Sequence, residues 1–134
     1  MSFAEAVKTG FSKYATFDGR AKRSEFWWWY LFETLAVLVF MLPAALFIGL
    51  SAGNGSEANG APLAIGIILY VVGGLVALAL LVPTYAVGCR RLHDRGQSGW
   101  LQLLILVPCG NIALIVLWAL EGTPTDNAYG PAST

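Results

Sequence analysis

The chain has a single histidine, His93, in the stretch Cys89-Arg90-Arg91-Leu92-His93-Asp94-Arg95. A cysteine four residues before a histidine puts thiol and imidazole on one helix face, the pairing from which reactive thiols and metal sites are built. Neither chemistry is complete in the sequence. Cys89, His93 and Asp94 do not make the closed four-ligand set of structural zinc. A nucleophile needs an oxyanion hole and a group that orients its base, and Asp94, one residue on from His93, points to another face of the helix. No catalytic residue, metal or cofactor is therefore expected, and no Gly-rich phosphate loop is present. The plainer role for His93 and Asp94 is hydrogen bonding that closes this loop onto the segment before the first apolar run.

The arginines carry the second chemistry. Arg91 and Arg95 are like-charged neighbours four apart on a helix, and Arg20 and Arg23 are like-charged neighbours three apart in Phe17-Asp18-Gly19-Arg20-Ala21-Lys22-Arg23-Ser24-Glu25-Phe26. Arg90 and Asp94 can pair, which relieves one arginine and leaves Asp18, Glu25 and Glu33 as further partners. The set Arg20, Arg23, Arg90, Arg91, His93, Asp94 and Arg95 is thus expected to take an anion, either the phosphate of an anionic lipid headgroup or an acidic partner, because guanidinium grips phosphate with two parallel bonds. The plain alternative is that these arginines fix topology and snorkel.

Membrane helices must position these groups. Hydrophobic residues make up 57% of the 134 and charged ones 12%, against about 25% charged in soluble domains. Three apolar runs, Phe26 to Leu50, Pro62 to Gly88 and Trp100 to Leu120, each reach the roughly 20 helical residues that cross a hydrocarbon core about 30 Å thick. Glu33 interrupts the first and Asn111 the third, and an acidic residue at that depth is a functional candidate by default. Its plain alternative is a salt bridge to Arg90 or Arg91. All eight Lys and Arg lie before the first run or between the second and third, while the opposite side carries Glu57, Glu121 and Asp126. With three crossings this predicts a cytoplasmic N-terminus and an outer C-terminus. Pro108-Cys109-Gly110-Asn111 could instead turn the third run into a re-entrant hairpin and leave the C-terminus inside. The spacing of Trp100 and Trp118, about 27 Å on a helix, favours the crossing.

Local signals fill in the rest. Trp27, Trp28, Trp29, Trp100 and Trp118 are expected as interfacial anchors. Phe3, Val7, Phe11 and Tyr14 fall at helical spacing, which predicts an amphipathic interfacial helix over residues 2–17, weakened by Gly10. Gly96 reads as a helix C-cap and Ser98 as an N-cap. Gly73-Gly74, and Gly49 with Gly53, read as close helix packing. Pro43, Pro83 and Pro108 each remove a backbone bond and can kink a helix. Asn54-Gly55-Ser56 matches a glycosylation acceptor in a loop too short to favour its use. Cys89 and Cys109 are about half a membrane apart and should not pair.

Three segments together resemble a known family: Phe-x-Gly-Arg-x-x-Arg-x-x-Phe-Trp at Phe17 to Trp27, Arg-Arg-Leu-His-Asp-x-Gly-x-Ser-Gly-Trp at Arg90 to Trp100, and a Gly-Thr-Pro…Asn-x-Tyr-Gly tail at Gly122 to Gly130. The chain is similar to the small bacterial inner-membrane proteins of domain of unknown function 805. In the tail Thr125 stands where a glycine is expected. The resemblance implies a multi-pass bacterial inner-membrane protein and no established activity. The reading is an all-α integral membrane bundle in one domain, residues 1–134, with an interfacial helix and three spans at about 26–50, 62–88 and 100–120. It would be a non-enzymatic scaffold or accessory subunit, with membrane lipids, a second copy or another membrane protein as partner and no nucleic acid. The alternative is an oligomeric channel or transporter subunit that uses Glu33.

Overall fold

The computed structural model describes residues 1–53 and 60–133. The Asn54-Gly55-Ser56 acceptor and Glu57 lie outside the described residues. Helices dominate, no strand forms among the described residues, and one isolated bridge joins Asn127 to Gly130. The chain divides into two compact units, Met1–Leu31 with Val82–Thr134, and Phe32–Leu81.

Two helices are long and apolar enough to cross a membrane: α2, Arg23–Gly53, and α3, Gly60–Asp94. Their aliphatic runs leave few polar side chains to compete with the backbone, and in lipid every N–H and C=O must bond within the segment. Almost none of either apolar window is buried inside the protein, so Val39, Leu42, Leu46, Ile68, Leu75 and Leu78 stay exposed. The core helix of a soluble protein would bury that face. Pro43 and Pro83 sit inside these helices. Within the second unit the helices meet at glycines of α3. A Cβ on Gly66 would lie 3.2 Å from the Ala44 carbonyl oxygen and 2.7 Å from the Ile48 side chain, and one on Gly73 would meet Met41 and Phe40. Of the expected packing glycines only Gly73 serves. Gly49, Gly53 and Gly74 face open space, because a small-residue spacing does not say which helix face the partner takes.

The first unit opens with α1, Phe3–Ser12, which begins in a capping box: the Ser2 hydroxyl accepts from the Glu5 N–H, and the Glu5 carboxylate accepts from the Ser2 N–H at 2.8 Å. The helix stops at Ser12, short of residue 17, with Lys13 as its cap. Tyr14 therefore falls outside the expected stripe. The inward face is Ala6 and Gly10, both buried. The Trp29 ring lies on Gly10 so closely that a Cβ there would sit 2.1 Å from it. Phe3 and Phe11 meet Trp28 and Trp29 edge-to-face, with ring centroids 5.8 and 5.3 Å apart. The glycine that reads as a weakness in the sequence is the contact that docks the helix.

The third apolar run is not one helix, unlike the unbroken span expected from the sequence. Gly99–Leu106 forms a 3-10 helix and α4 runs Gly110–Ala119, packed against it. Pro108 disfavours helix at the residue before it, and Val107 is extended. Cys109 then takes the left-handed conformation, φ 63°. Gly110 completes the turn, since a Cβ there would fall 1.6 Å from the Leu104 carbonyl oxygen. Ten helical residues reach about 15 Å, half of a hydrocarbon core. Both arms return to one place, with the Gln102 amide and the Trp118 ring each against Gly88. The 27 Å separation expected of Trp100 and Trp118 presupposed an unbroken helix.

Candidate functional site

Three segments of the first unit converge at the C-terminal end of α3. That end closes in a Schellman turn: Gly96, at φ 73°, donates to the His93 carbonyl, and Gln97 donates to the Leu92 carbonyl. Ser98 then caps the 3-10 helix, its hydroxyl accepting from the Trp100 N–H. These are the two caps expected from sequence. The reversal throws Arg90, Arg91, His93 and Asp94, all buried, against the segment before α2 and the tail after α4.

Asp94 is the hub. Its carboxylate accepts from Arg20 Nε at 2.9 Å, from Arg91 and from the Ser133 hydroxyl. Its backbone carbonyl accepts from the Thr123 N–H and hydroxyl, both at 2.8 Å. Gly122 lies flat against the carboxylate, where a Cβ would come within 2.0 Å of Oδ2. Arg20 spends its remaining donors on the tail: Nη1 reaches the Thr125 and Gly130 carbonyls, and Nη2 reaches Thr123 at 2.6 Å and the Asp94 carbonyl. Arg91 donates to the Ala21, Trp118 and Leu120 carbonyls. Arg90 pairs with Glu25 in the first turn of α2, leaving Nε and Nη2 buried without a partner. The Ala21 N–H donates to the Arg90 carbonyl, tying the first segment to α3.

His93 closes the loop as its sequence position predicts. Its Nδ1 lies 3.0 Å from the Gly19 carbonyl oxygen, and the Tyr129 ring stacks on the imidazole at 3.9 Å and 4°. Asn127 donates to the His93 carbonyl. Gly19 itself turns at φ 91°. Cys89 Sγ lies 3.6 Å from His93 Nε2 and 3.6 Å from the Phe17 carbonyl oxygen.

This geometry revises the ionic pattern read from sequence. Arg90 pairs with Glu25 rather than Asp94, and Arg91 pairs with Asp94 three residues on. Of the carboxylates expected as partners, Glu25 and Asp94 are the ones that Arg90 and Arg91 meet. Charges that repel along the sequence are paired with Glu25 and Asp94 and bonded to a set of carbonyl oxygens, so Arg20 and Arg91 have their donors turned to the protein itself. Arg23 and Arg95 stand apart. Arg23 makes a 3.8 Å contact with Glu121 that is exposed on both sides, and Arg95 donates to the Glu121 carbonyl. The sequence reading held Glu25 only as one of three further carboxylates, and it missed Thr123, Asn127, Tyr129 and Ser133. The Gly-Thr-Pro…Asn-x-Tyr-Gly tail was the signal that held three of them.

The expected anchors divide. Trp27 and Trp28 are exposed and Trp100 is 78% exposed. Trp29 is fully buried, its indole N–H donating to the Thr84 hydroxyl at 3.0 Å. That corrects its assignment as a headgroup anchor, because α1 covers it. Trp118 is half-buried and leans on Phe26 at 4.9 Å. Glu33 is half-buried on α2 in the second unit, and Asn111 is exposed in the first turn of α4. Both cysteines are free, Cys89 buried and Cys109 exposed. Among the described residues no group of three His, Cys, Asp or Glu side chains is placed to hold a metal ion.

Comparison with known proteins places this arrangement. Two curated relatives from Escherichia coli strain K12 match nearly the whole chain: inner membrane protein YhaH is 35% identical over 119 residues, 88% of this chain and 87% of its own length, and inner membrane protein YhaI is 34% identical over 118 residues, 87% and 85%. No solved structure matches. The family described as "Protein of unknown function (DUF805)" matches residues 14–131, from the segment that carries Arg20 to the tail that binds it, and the chain belongs to that family.

Proposed function

We propose that the protein is a non-enzymatic scaffold or accessory subunit of the bacterial inner membrane that crosses it twice, with N-terminus and C-terminus both in the cytoplasm and α4 with its 3-10 partner forming a re-entrant hairpin. One observation carries the reading. The buried arginines latch the N-terminal segment, the end of α3 and the tail into one body, and all eight Lys and Arg lie in Lys8 to Arg23 or Arg90 to Arg95. That charge would face the cytoplasm under the positive-inside rule. The relatives named as inner membrane proteins support the location.

On this reading α1 lies along the interface, and anionic headgroups meet the basic residues the latch does not use: Lys8, Lys13, Lys22 and Arg23, with Arg95 at the edge. Exposed Trp27 and Trp28 beside Arg23 suit headgroup depth. Each such cation contributes about 1 kcal/mol near an anionic surface. Arg20, Arg90, Arg91, His93 and Asp94 then hold the platform rather than the lipid.

Cysteine labelling tests the topology. In a Cys89→Ser, Cys109→Ser background, Ala15→Cys and Ala128→Cys should resist a membrane-impermeant maleimide in intact spheroplasts and react after permeabilisation, while Gly60→Cys reacts in both. Labelling of Ala128→Cys in intact spheroplasts would refute the two-crossing arrangement. Headgroup binding is tested on protein released from detergent, by counting retained phosphatidylglycerol. Lys8, Lys13, Lys22 and Arg23 replaced together by Gln should at least halve it. An unchanged count removes the lipid role.

A further inference from the structure

Beside the latch the first unit holds a cavity of about 730 Å³, within the range of small-molecule sites, about 300 to 1,000 Å³. Its wall is mostly apolar, with Tyr85, Trp100, Leu103 and Leu106 of α3 and the 3-10 helix beside Ser98 and Gln102, and Cys89, His93 and Asp18 give it a polar end. Gly99 keeps that end open. A Cβ at this position would fall 2.1 Å from Cys89 Sγ and 3.6 Å from His93 Nε2.

Hydrogen bonding at the polar end selects the guest. The Gly19 carbonyl oxygen only accepts, so in the neutral imidazole His93 Nδ1, 3.0 Å away, carries the proton and Nε2 presents a lone pair. Cys89 has one thiol proton and two acceptors at 3.6 Å, His93 Nε2 and the Phe17 carbonyl. One acceptor is therefore left over, and an O–H donor satisfies it. Charge selects as well. Among the described residues no lysine or arginine lines the cavity, and Asp18 in its lining repels a carboxylate or phosphate. The buried guanidinium groups of Arg20 and Arg91 are bonded to Asp94 and to the carbonyls of the tail and the Trp118–Leu120 turn.

We propose that this cavity binds a neutral amphiphile headed by a hydroxyl group, with the hydroxyl donating to the acceptor left open at Cys89 and His93 and the chain lying along Tyr85, Leu103 and Leu106. The site stands independently of the scaffold reading. A single-chain alcohol and a diacylglycerol share this chemistry.

The test uses full-length Cys109→Ser protein in detergent, equilibrated with dodecan-1-ol, 1,2-dioctanoylglycerol or dodecanoate. Bound amphiphile is quantified by mass spectrometry of an organic extract after gel filtration, and alkylation of Cys89 by N-ethylmaleimide is timed in parallel. The expected result is one equivalent of alcohol or diacylglycerol, at least tenfold less dodecanoate, and Cys89 alkylation slowed at least fivefold by the bound species. Whichever of the two hydroxyl compounds binds tighter identifies the source. Leu103→Trp, which fills the wall without touching the polar end, should abolish retention. His93→Phe should bring alcohol and carboxylate to equal retention. Should His93→Phe fail to fold, the comparison of alcohol with carboxylate on the parent protein still decides. Equal retention of dodecanoate by the parent, or no retained equivalent of either hydroxyl compound, would overturn the proposal.

Discussion

The Asp94 carboxylate joins two buried arginines and the Ser133 hydroxyl, and its replacement separates a structural role for the buried charges from a passive one. Asp94→Asn keeps the shape but leaves Arg20 and Arg91 without their carboxylate. Breaking a buried ion pair from one side costs about 3–5 kcal/mol, and the Asp94 and Arg20 side chains are only 5% and 3% exposed. Thermal unfolding in detergent should register a loss of that size. Arg23→Gln removes an exposed contact and should change stability by less than about 0.5 kcal/mol. Equal effects would mean that the latch does not hold the unit together. Arg20→Lys keeps the charge and loses the fork that reaches Asp94, Thr123, Thr125 and Gly130 at once, so it should fall between the two. At this scale the sequence was half legible. One histidine among arginines at a helix end marks a polar closure, and its link to the first segment follows from Phe17 to Arg23 being the other basic stretch. Glu25 was legible only as one of several carboxylates, and Asn127, Tyr129 and Ser133 act through a chain reversal that no local pattern encodes.

Elements were read well where periodicity or caps decide them and poorly where a turn lies inside an apolar run. The long helices, Gly96 and Ser98 follow from residue type alone. The hairpin at Pro108 does not, because leucine and isoleucine look the same in a crossing helix and in two short arms, and the choice rests on Gly110 meeting the Leu104 carbonyl. Gly110→Ala should therefore open the hairpin and raise proteolysis between Leu106 and Ile112 severalfold, while Gly49→Ala, which meets nothing, leaves it unchanged. Capping gives α1 a pH dependence. The Ser2 N–H, and secondly its hydroxyl, hold the Glu5 carboxyl below the usual carboxylate range. A lowered folded value means that the stabilisation is present above the ordinary carboxylate range and is lost as pH falls through the lowered value. Hydrogen-exchange protection of α1 amides should be level at neutral pH and decline in acid. Ser2→Ala should lower protection throughout, by about 0.5–2 kcal/mol for a lost cap, and weaken the acid decline only in part, since its backbone N–H still reaches Glu5. Glu5→Gln should flatten the decline, and a decline that persists unchanged in that variant would assign it to another group.

At the scale of the molecule, insertion and closure are separable, because the apolar helices draw their stability from lipid and internal backbone bonds while the latch needs residues far apart in sequence. The tail supplies Arg20 with acceptors at Thr123, Thr125 and Gly130, and it supplies the Tyr129 ring that covers His93. A chain ending at Glu121 keeps α2, α3 and every basic residue, so it should still reach the membrane fraction in normal amount. Its first unit should loosen, since Arg20 and the Asp94 carbonyl lose their tail partners together. Two readouts follow, both in a Cys109→Ser background: alkylation of Cys89 should accelerate at least tenfold, and trypsin should cut after Arg20, whose side chain the intact protein buries. Restoring the tail with Asn127→Ala alone should give a smaller acceleration, because Tyr129 and the Arg20 acceptors remain. If the truncated chain shields Cys89 as well as the full one does, the tail is not a closing element, and the convergence at Asp94 holds without it. If it fails to insert at all, the tail acts earlier, during assembly in the membrane, and the separation of insertion from closure is refuted.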